Sequence, residues 1–301
     1  MNLIIFGFGY TAKACVNLLA QQATDLTVTV RSKEKRDAVR KSTINAYCFD
    51  GINFEPELNQ KIHNATHIII SVPPDDSGDP VLNCFLQKIE NAPDLKSIIY
   101  FSTIGVYGNF DGAWINETTA PNAISTRAAR RLKAESEWLD FGKRRTINTH
   151  VLRLAGIYGK GRNALCDFAN GTARRIFKEN QVFNRIHVED IARITAKLLE
   201  SNLAYGVWNI CDYEPCPPQD VVLYAAELLG IEPPPLQPYE TAQLTDMGRA
   251  FYSENKRVSN EAICQKLDFE FSYPTYREGL KMLHEQGEGQ KGSITLRTKR
   301  R

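Results

Sequence analysis

Four apolar residues, Leu3-Ile4-Ile5-Phe6, run directly into Gly7 and Gly9, and Ala12, Cys15, Val16 and Leu19 then recur at helical spacing. A continuous apolar run of this length is the pattern of a strand buried on both faces. Residues 1–12 therefore read as strand, tight turn and helix. In such a unit the first glycine makes the turn and the second lets a pyrophosphate approach the backbone. The small third residue, here Ala12, lets the helix pack against the strand. The pyrophosphate then sits on free N–H groups at the positive end of the helix. Gly7, Phe8, Gly9, Tyr10 and Thr11 are the candidate cofactor contacts of this turn. The same spacing also fits a strand–helix turn that binds nothing, but its place after a buried strand and at a helix start favours the dinucleotide site.

The next strand is Leu26-Thr27-Val28-Thr29-Val30, rich in β-branched residues, and it ends in Arg31-Ser32-Lys33. In a dinucleotide-binding unit this point meets the adenosine ribose. An acid there binds the 2′-hydroxyl of NAD, whereas a basic residue accommodates the 2′-phosphate of NADP. The first acid is Glu34, so Arg31, Ser32 and Lys33 predict a preference for NADP, with NAD as the alternative. Ala46–Phe49 reads as a third strand, with Asp50 at the edge of the adenine pocket. His67–Val72 reads as a fourth, stopped by Pro73-Pro74. Ligands of such sheets bind beyond the carboxyl ends of the strands, which makes Val72 and Pro73 candidate contacts. A helix over Val81–Glu90 leads to a fifth strand, Ser97–Ser102. This alternation predicts an α/β fold: a Rossmann doubly wound parallel sheet with a small C-terminal substrate-binding subdomain.

Bulk properties narrow the function. The 301 residues carry a net charge of +2, which points to no polyanionic partner, and no basic face interleaved with aromatics suggests nucleic acid. No apolar run approaches the roughly 20 residues of a membrane helix, and the N-terminus lacks the basic region of a signal peptide. The expectation is a cytoplasmic protein that engages no membrane. Its seven cysteines are scattered, odd in number and without a CxxC pair, so they read as free thiols, and no metal site is expected.

Six stretches carry a resemblance. They are YFSTIGVYG at 100–108, LRLAGIYGKGR at 152–162, NRIHVEDIA at 184–192, VWNICD at 207–212, SENKRVSN at 253–260 and YPTYREGL at 273–280. Together with the glycine turn they resemble the extended, atypical short-chain dehydrogenase/reductase superfamily, the NAD-dependent epimerase/dehydratase group, over nearly the whole chain. The resemblance implies that Thr103 hydrogen-bonds the substrate oxygen, that Ser102 borders the cofactor, and that the turn at Gly156 passes under the nicotinamide. It implies a small polar substrate, such as a sugar or sugar nucleotide, and a homodimer paired through two long helices, one of them at 125–141.

The chain departs from that group at one helix. The group carries a tyrosine that gives or takes a proton and, four residues on, a lysine that binds the nicotinamide ribose and lowers the tyrosine's pKa. Aligning RLKAE with the group's KLxxE puts Arg131 at the lysine and Arg127 at the tyrosine. Arg131 can still bind ribose hydroxyls, but a guanidinium does not serve as a general acid or base. With 3.6 residues per turn, Ala128, Leu132 and Leu139 form the expected buried stripe, and Arg127 and Arg131 lie together beside Ala134 and Trp138 at its border. Tyr107 and Tyr158 are the nearest phenols in sequence. Either is a candidate to replace the missing acid/base, and Tyr107 is also a candidate substrate contact, against the plainer reading that both pack within their turns.

Arg162 and Arg257 are further candidates for a substrate phosphate or carboxylate. His187, Glu189 and Asp190 read as structural, the two acids suiting the first turn of a helix. Residues 109–123 read as loop. The expected division is a cofactor domain over 1–160, completed by 184–211, a small substrate part over 161–183 and 212–285, and a disordered tail over 286–301. Two functions remain open on this reading: an NADP-dependent epimerase, dehydratase or reductase, and a catalytically silent NADP(H)-binding protein that keeps the fold but lacks the proton donor.

Overall fold

The computed structural model describes residues 1–290 except Thr43. In chain order its elements begin with β1 (Asn2–Phe6), α1 (Tyr10–Leu19), β2 (Asp25–Val30), α2 (Lys33–Arg40), β3 (Asn45–Cys48), α3 (Leu58–His63), β4 (His67–Ile70), α4 (Pro80–Glu90) and β5 (Ser97–Thr103). A 3-10 turn (Ile104–Tyr107), β6 (Trp114–Ile115), α5 (Thr126–Arg145), β7 (Asn148–Leu154), β8 (Gly156–Tyr158), α6 (Ala164–Ala169), β9 (Arg175–Phe177) and β10 (Arg185–His187) follow. The chain continues through α7 (Val188–Glu200), β11 (Tyr205–Ile210), α8 (Pro218–Leu229), β12 (Leu236–Pro238), α9 (Asp246–Tyr252), β13 (Arg257–Val258), α10 (Glu261–Leu267) and α11 (Tyr276–Glu285).

Two compact units divide these elements. The first comprises Met1–Tyr107, Pro121–Leu154 and Ile191–Trp208; the second comprises Gly108–Ala120, Ala155–Asp190 and the residues from Asn209 onward. Residues 108–120, 155–160, 184–190 and 209–211, assigned by sequence to the cofactor domain, thus group with the second unit.

The first unit is built on a seven-stranded sheet of order β11-β7-β5-β4-β1-β2-β3. β3, β2, β1, β4, β5 and β7 pair in parallel, with Ile5 opposite Val28, Ile4 opposite Ile68 and Tyr100 opposite Val151. The order reverses at β1, the first strand and the one that feeds the glycine turn, which is where such sheets open a crevice for a ligand. Ile4, Phe6, Ile68, Ile70, Ile98 and Tyr100 alternate onto one face. They pack there with Phe85 of α4 and with Ala134, Trp138 and Phe141 of α5. The intervening Leu3, Ile5, Ile69 and Ile99 are buried on the other face, the burial on both sides that the continuous apolar runs require.

The second unit contains three two-stranded pairs, β8 with β10, β9 with β12 and β6 with β13. Its main core gathers Tyr158, Leu165, Cys216, Ala225, Tyr276, Leu280 and Leu283. One sequence expectation fails here: the loop at 109–123 holds a strand, β6. The basic stretch at 160–183 holds α6 and β9. The strands β6 and β9 are short and take their register from partners more than fifty residues away, so local periodicity does not reveal them.

The expected disordered tail also fails over its described beginning. Glu288 is buried, and one of its carboxylate oxygens accepts hydrogen bonds from Gly161 N (3.0 Å), Asn163 Nδ2 (3.0 Å) and the Cys166 thiol (2.6 Å). The rest of that stretch, from residue 291, lies outside the described residues. Among the described residues no helix is long and apolar enough to cross a membrane, and no three His, Cys, Asp or Glu side chains gather to hold a metal.

Candidate functional site

The glycine turn is held from below. Gly7 N donates to Thr29 Oγ1 (2.8 Å) and Phe8 N donates to Thr29 O (2.9 Å), which ties the turn to β2. Gly7 adopts φ +91°, and a Cβ there would lie 2.9 Å from Val72 Cγ1, so both conformation and contact require glycine. Gly9 is required for neither reason. A Cβ on it would meet nothing within 4 Å, so the backbone at the start of α1 faces open space. No side chain caps α1 and no acid sits in its first turn. Ala12 is fully buried beneath the helix. The strand-side glycine is a packing requirement, whereas the helix-side glycine leaves room for a ligand on the amide end of the helix. A dinucleotide pyrophosphate fits this cradle.

At the end of β2, Ser32 caps α2 and accepts from Lys35 N at 3.4 Å. Arg31 and Lys33 on either side are exposed, and neither enters an ion pair among the described residues. Arg36, one turn on, is engaged by Asp37 and Glu55. Two basic side chains are thus left to solvent where the adenosine ribose is expected. Asp50 is engaged by its own turn. It accepts from Ile52 N (2.9 Å), Asn53 N (2.7 Å) and Asn53 Nδ2 (3.0 Å), and these bonds, led by the Asn53 amide, lower its pKa. These bonds fix its carboxylate at the exposed end of β3, where the adenine edge is expected.

The carboxyl end of β5 turns Ser102 and Thr103 to opposite sides, as strand alternation dictates. Ser102 donates its hydroxyl to Glu135 and is buried, so it is corrected from cofactor contact to structural anchor. Thr103 is half-buried. Its Oγ1 accepts from Gly105 N (3.1 Å), which fixes the side chain and leaves its hydroxyl hydrogen to point elsewhere.

Along α5 the buried face runs through Ala128, Ala134, Glu135, Trp138, Phe141 and Gly142. Leu132 and Leu139, expected at the centre of the buried stripe, are only half-buried, and Trp138, expected at its border, is fully buried. This rotation separates the two arginines. Arg127 is exposed in the first helical turn. Arg131 turns inward. Its guanidinium donates to the Phe101 carbonyl and lies 5.7 Å from the centre of the Tyr100 ring. The rotation is explained by Glu135, which forms a buried ion pair with Arg153 of β7 (2.7 Å, with further bonds at 3.1 and 3.3 Å). The Arg153 guanidinium lies 4.7 Å from the centre of the Tyr107 ring, and Tyr107 is itself fully buried. Tyr107 therefore packs on the buried arginine, and its assignment as a substrate contact is corrected.

Sequence inspection missed Glu135 and Arg153. The available signal was a charge inside the buried apolar run Leu152-Arg153-Leu154, which demands a partner.

In the second unit Gly156 opens β8, its N–H donating to Asn184 O at 3.0 Å. Arg162 is exposed on the turn that closes Gly159 against it by two backbone bonds of 3.0 Å. Arg257 donates to the carbonyl of Gly112, which makes it a strut for the preceding loop rather than a free anion ligand. Tyr158 is buried and donates to Thr275 O at 3.3 Å, so packing accounts for it.

His187 is buried against Tyr273, with ring centres 3.7 Å apart, and burial lowers its pKa to about 4. Asp190 caps Ser272 N and Tyr273 N, both at 2.9 Å. The NRIHVEDIA stretch is accordingly a fastening between β10, α7 and the 272–273 segment. Asp212 is a second missed group: burial pushes its carboxyl up to about 8, and only Oδ1 has a hydrogen bond, from Glu214 N (3.2 Å).

Residues 84–211 match the NAD dependent epimerase/dehydratase family. A functionally unknown conserved protein from Silicibacter pomeroyi is 41% identical, the match covering 95% of this chain and 99% of that one with a TM-score of 0.84. Residues 84–211 form a domain of the NAD-dependent epimerase/dehydratase family. Two further relatives share the fold at low identity. The dTDP-glucose 4,6-dehydratase of Bacillus anthracis, solved in complex with NAD, is 17% identical over 96% of this chain and 97% of that one, with a TM-score of 0.75. A human epimerase family protein solved with NADPH is 18% identical over 95% and 99%, with a TM-score of 0.71. No curated protein matches the sequence.

Proposed function

We propose that the chain binds a nicotinamide dinucleotide on the glycine turn, prefers NADP to NAD, and performs redox chemistry of the epimerase, dehydratase or reductase kind on a small polar substrate of sugar or sugar-nucleotide character. The observation that carries this reading is the open backbone at Gly9 on an uncapped helix, with Arg31 and Lys33 exposed at the end of β2. Relatives of the same fold solved with NAD and with NADPH support the cofactor class. In this reading α1 receives the pyrophosphate, Arg31 and Lys33 pair with the 2′-phosphate, and Ser32 lines the ribose. Bound there, the nicotinamide would carry a hydride to or from a substrate carbon. Thr103, its Oγ1 already fixed by Gly105 N, directs its hydroxyl hydrogen toward a substrate oxygen. Arg127 supplies fixed positive charge and no proton.

The experiment is a titration of the purified chain with NADPH and with NADH, followed by nicotinamide fluorescence. NADPH binding about tenfold tighter than NADH is expected. Equal affinities, or tighter NADH, overturn the 2′-phosphate assignment, and no binding of either overturns the site.

A second reading is favoured by the inward turn of Arg131 onto the Phe101 carbonyl. A group so engaged is less available to ribose hydroxyls, and with no phenol at position 127 the chain would be a catalytically silent NADP(H) binder. Turnover of NADPH with a panel of carbonyl and sugar-nucleotide substrates separates the two.

A further inference from the structure

Strand β6 is two residues long, and its residues face opposite ways. Ile115 is buried, whereas Trp114 is 62% exposed; the chain's other two tryptophans, Trp138 and Trp208, are 0% and 8% exposed. Ile115 does the packing that the β6–β13 pair needs, so the fold gives no reason for an indole at 114. Leaving one on the surface costs hydration free energy. It borders a cavity of about 320 Å³ lined by Trp114, Ile115, Asn116, Thr119, Ser259 and Glu261, all within the second unit. That volume is at the lower end of small-molecule sites.

The polar groups around the indole are arranged for hydroxyls. Asn116 Oδ1 is occupied by Thr118 N (3.0 Å) and the Thr118 hydroxyl (2.7 Å), which leaves its amide N–H₂ as donor. Thr119 Oγ1 accepts from Asn116 N (3.1 Å) and Ser259 Oγ accepts from Glu261 N (3.3 Å), so each keeps a hydroxyl hydrogen to give. Glu261 adds an exposed carboxylate acceptor. No lysine or arginine lines the cavity. A flat apolar face ringed by donors and one acceptor, with no cation, matches a sugar ring: its C–H face stacks on the indole and its hydroxyls meet the rim. The absence of a cation from the lining disfavours phosphate.

We propose that this cavity is a binding site for a neutral pyranose ring, independent of the nicotinamide site. Affinity for one stacked ring with a few hydrogen bonds is expected on the order of 1–10 mM. The test titrates the full chain with glucose, galactose and N-acetylglucosamine, and separately with glucose 1-phosphate. It reads intrinsic tryptophan fluorescence, for which Trp114 is the exposed reporter, and saturation-transfer NMR. A saturable change with at least one neutral sugar is expected, with the phosphorylated sugar at least fivefold weaker. In Trp114→Ala the NMR signal should vanish, and in Trp114→Tyr it should largely return. Glu261→Gln should weaken binding about fivefold.

No saturable response to any neutral sugar by about 100 mM overturns the proposal. So does binding that survives Trp114→Ala, or a phosphorylated sugar bound as tightly as a neutral one. Thermal unfolding of Trp114→Ala provides the independent control. An unchanged melting temperature shows that the chain is folded and that loss of sugar binding is local, whatever the fate of the nicotinamide reading.

Discussion

The start of α1 and the first turns of α5 make an instructive pair. Both are helix beginnings in the first unit, and the resemblance read from the sequence assigns both to the cofactor. At α1 the features a dinucleotide needs are present: positive φ at Gly7, open space at Gly9 and the buried Ala12. At α5 the two positions that the resemblance aligns with a proton-transferring tyrosine and a ribose-binding lysine hold arginines, one exposed and the other turned onto a strand carbonyl. The first region works through backbone, which a fold preserves as long as it folds. The second works through two functional groups, which can be exchanged while the helix stays in place. In the function proposed above, cofactor binding and turnover are therefore separable.

Substitutions can break or sharpen that contrast. The largest effect is expected at the ion pair that orients α5. Glu135→Ala leaves Arg153 buried without its partner, and thermal or denaturant unfolding should show a loss of about 3–5 kcal/mol. A loss below 1 kcal/mol would mean that the rotation of α5 has another cause.

Next come the glycines. Gly7→Ala forces a Cβ against Val72 at positive φ and should cost about 1–3 kcal/mol of stability. Gly9→Ala should leave the melting temperature unchanged while weakening NADPH at least tenfold. If both variants behave alike, the division between packing glycine and ligand glycine is wrong.

Arg31→Ala should reduce NADPH affinity about tenfold, about 1.4 kcal/mol, and leave NADH affinity unchanged in the same fluorescence titration. The smallest expected effects lie at the arginine pair itself. Arg131→Ala removes a charged bond to Phe101 O and should cost about 1 kcal/mol in unfolding, whereas Arg127→Ala should stay within about 0.5 kcal/mol. An Arg127→Ala variant as destabilised as Arg131→Ala would show that the two are not divided between solvent and sheet.

Much of the first unit was legible because its signals are local. Continuous apolar runs mark strands buried on both faces, and the glycine turn follows the first of them. The five strands from β1 to β5 and the helices α1 and α4 lie within a few residues of their expected bounds, and the resemblance to the epimerase/dehydratase group was legible in the glycine turn and in six stretches from residue 100 onward. The orientation of α5 was not, because a wheel drawn from apolar residues alone has no place for a buried carboxylate. Glu135 looks like a surface residue until Arg153 is brought beneath it. Ser102, Tyr107 and Arg257 were misread for a related reason: each sits where a ligand contact is plausible, and each is already bonded to or packed on another part of the protein. In the second unit β6, β9 and the anchoring of Glu288 depend on partners remote in sequence, which no window of neighbouring residues contains.

The bond from Cys166 to Glu288 spans 122 residues of chain. At a synthesis rate of roughly 5–20 residues per second, the loop at 159–166 leaves the ribosome about 6–24 s before the carboxylate that completes it is made. The first unit has all its residues once Trp208 is made, whereas the second is finished only when Glu288 is. A nascent chain interrupted between the two carries a complete first unit and a second one still open at its α6 end.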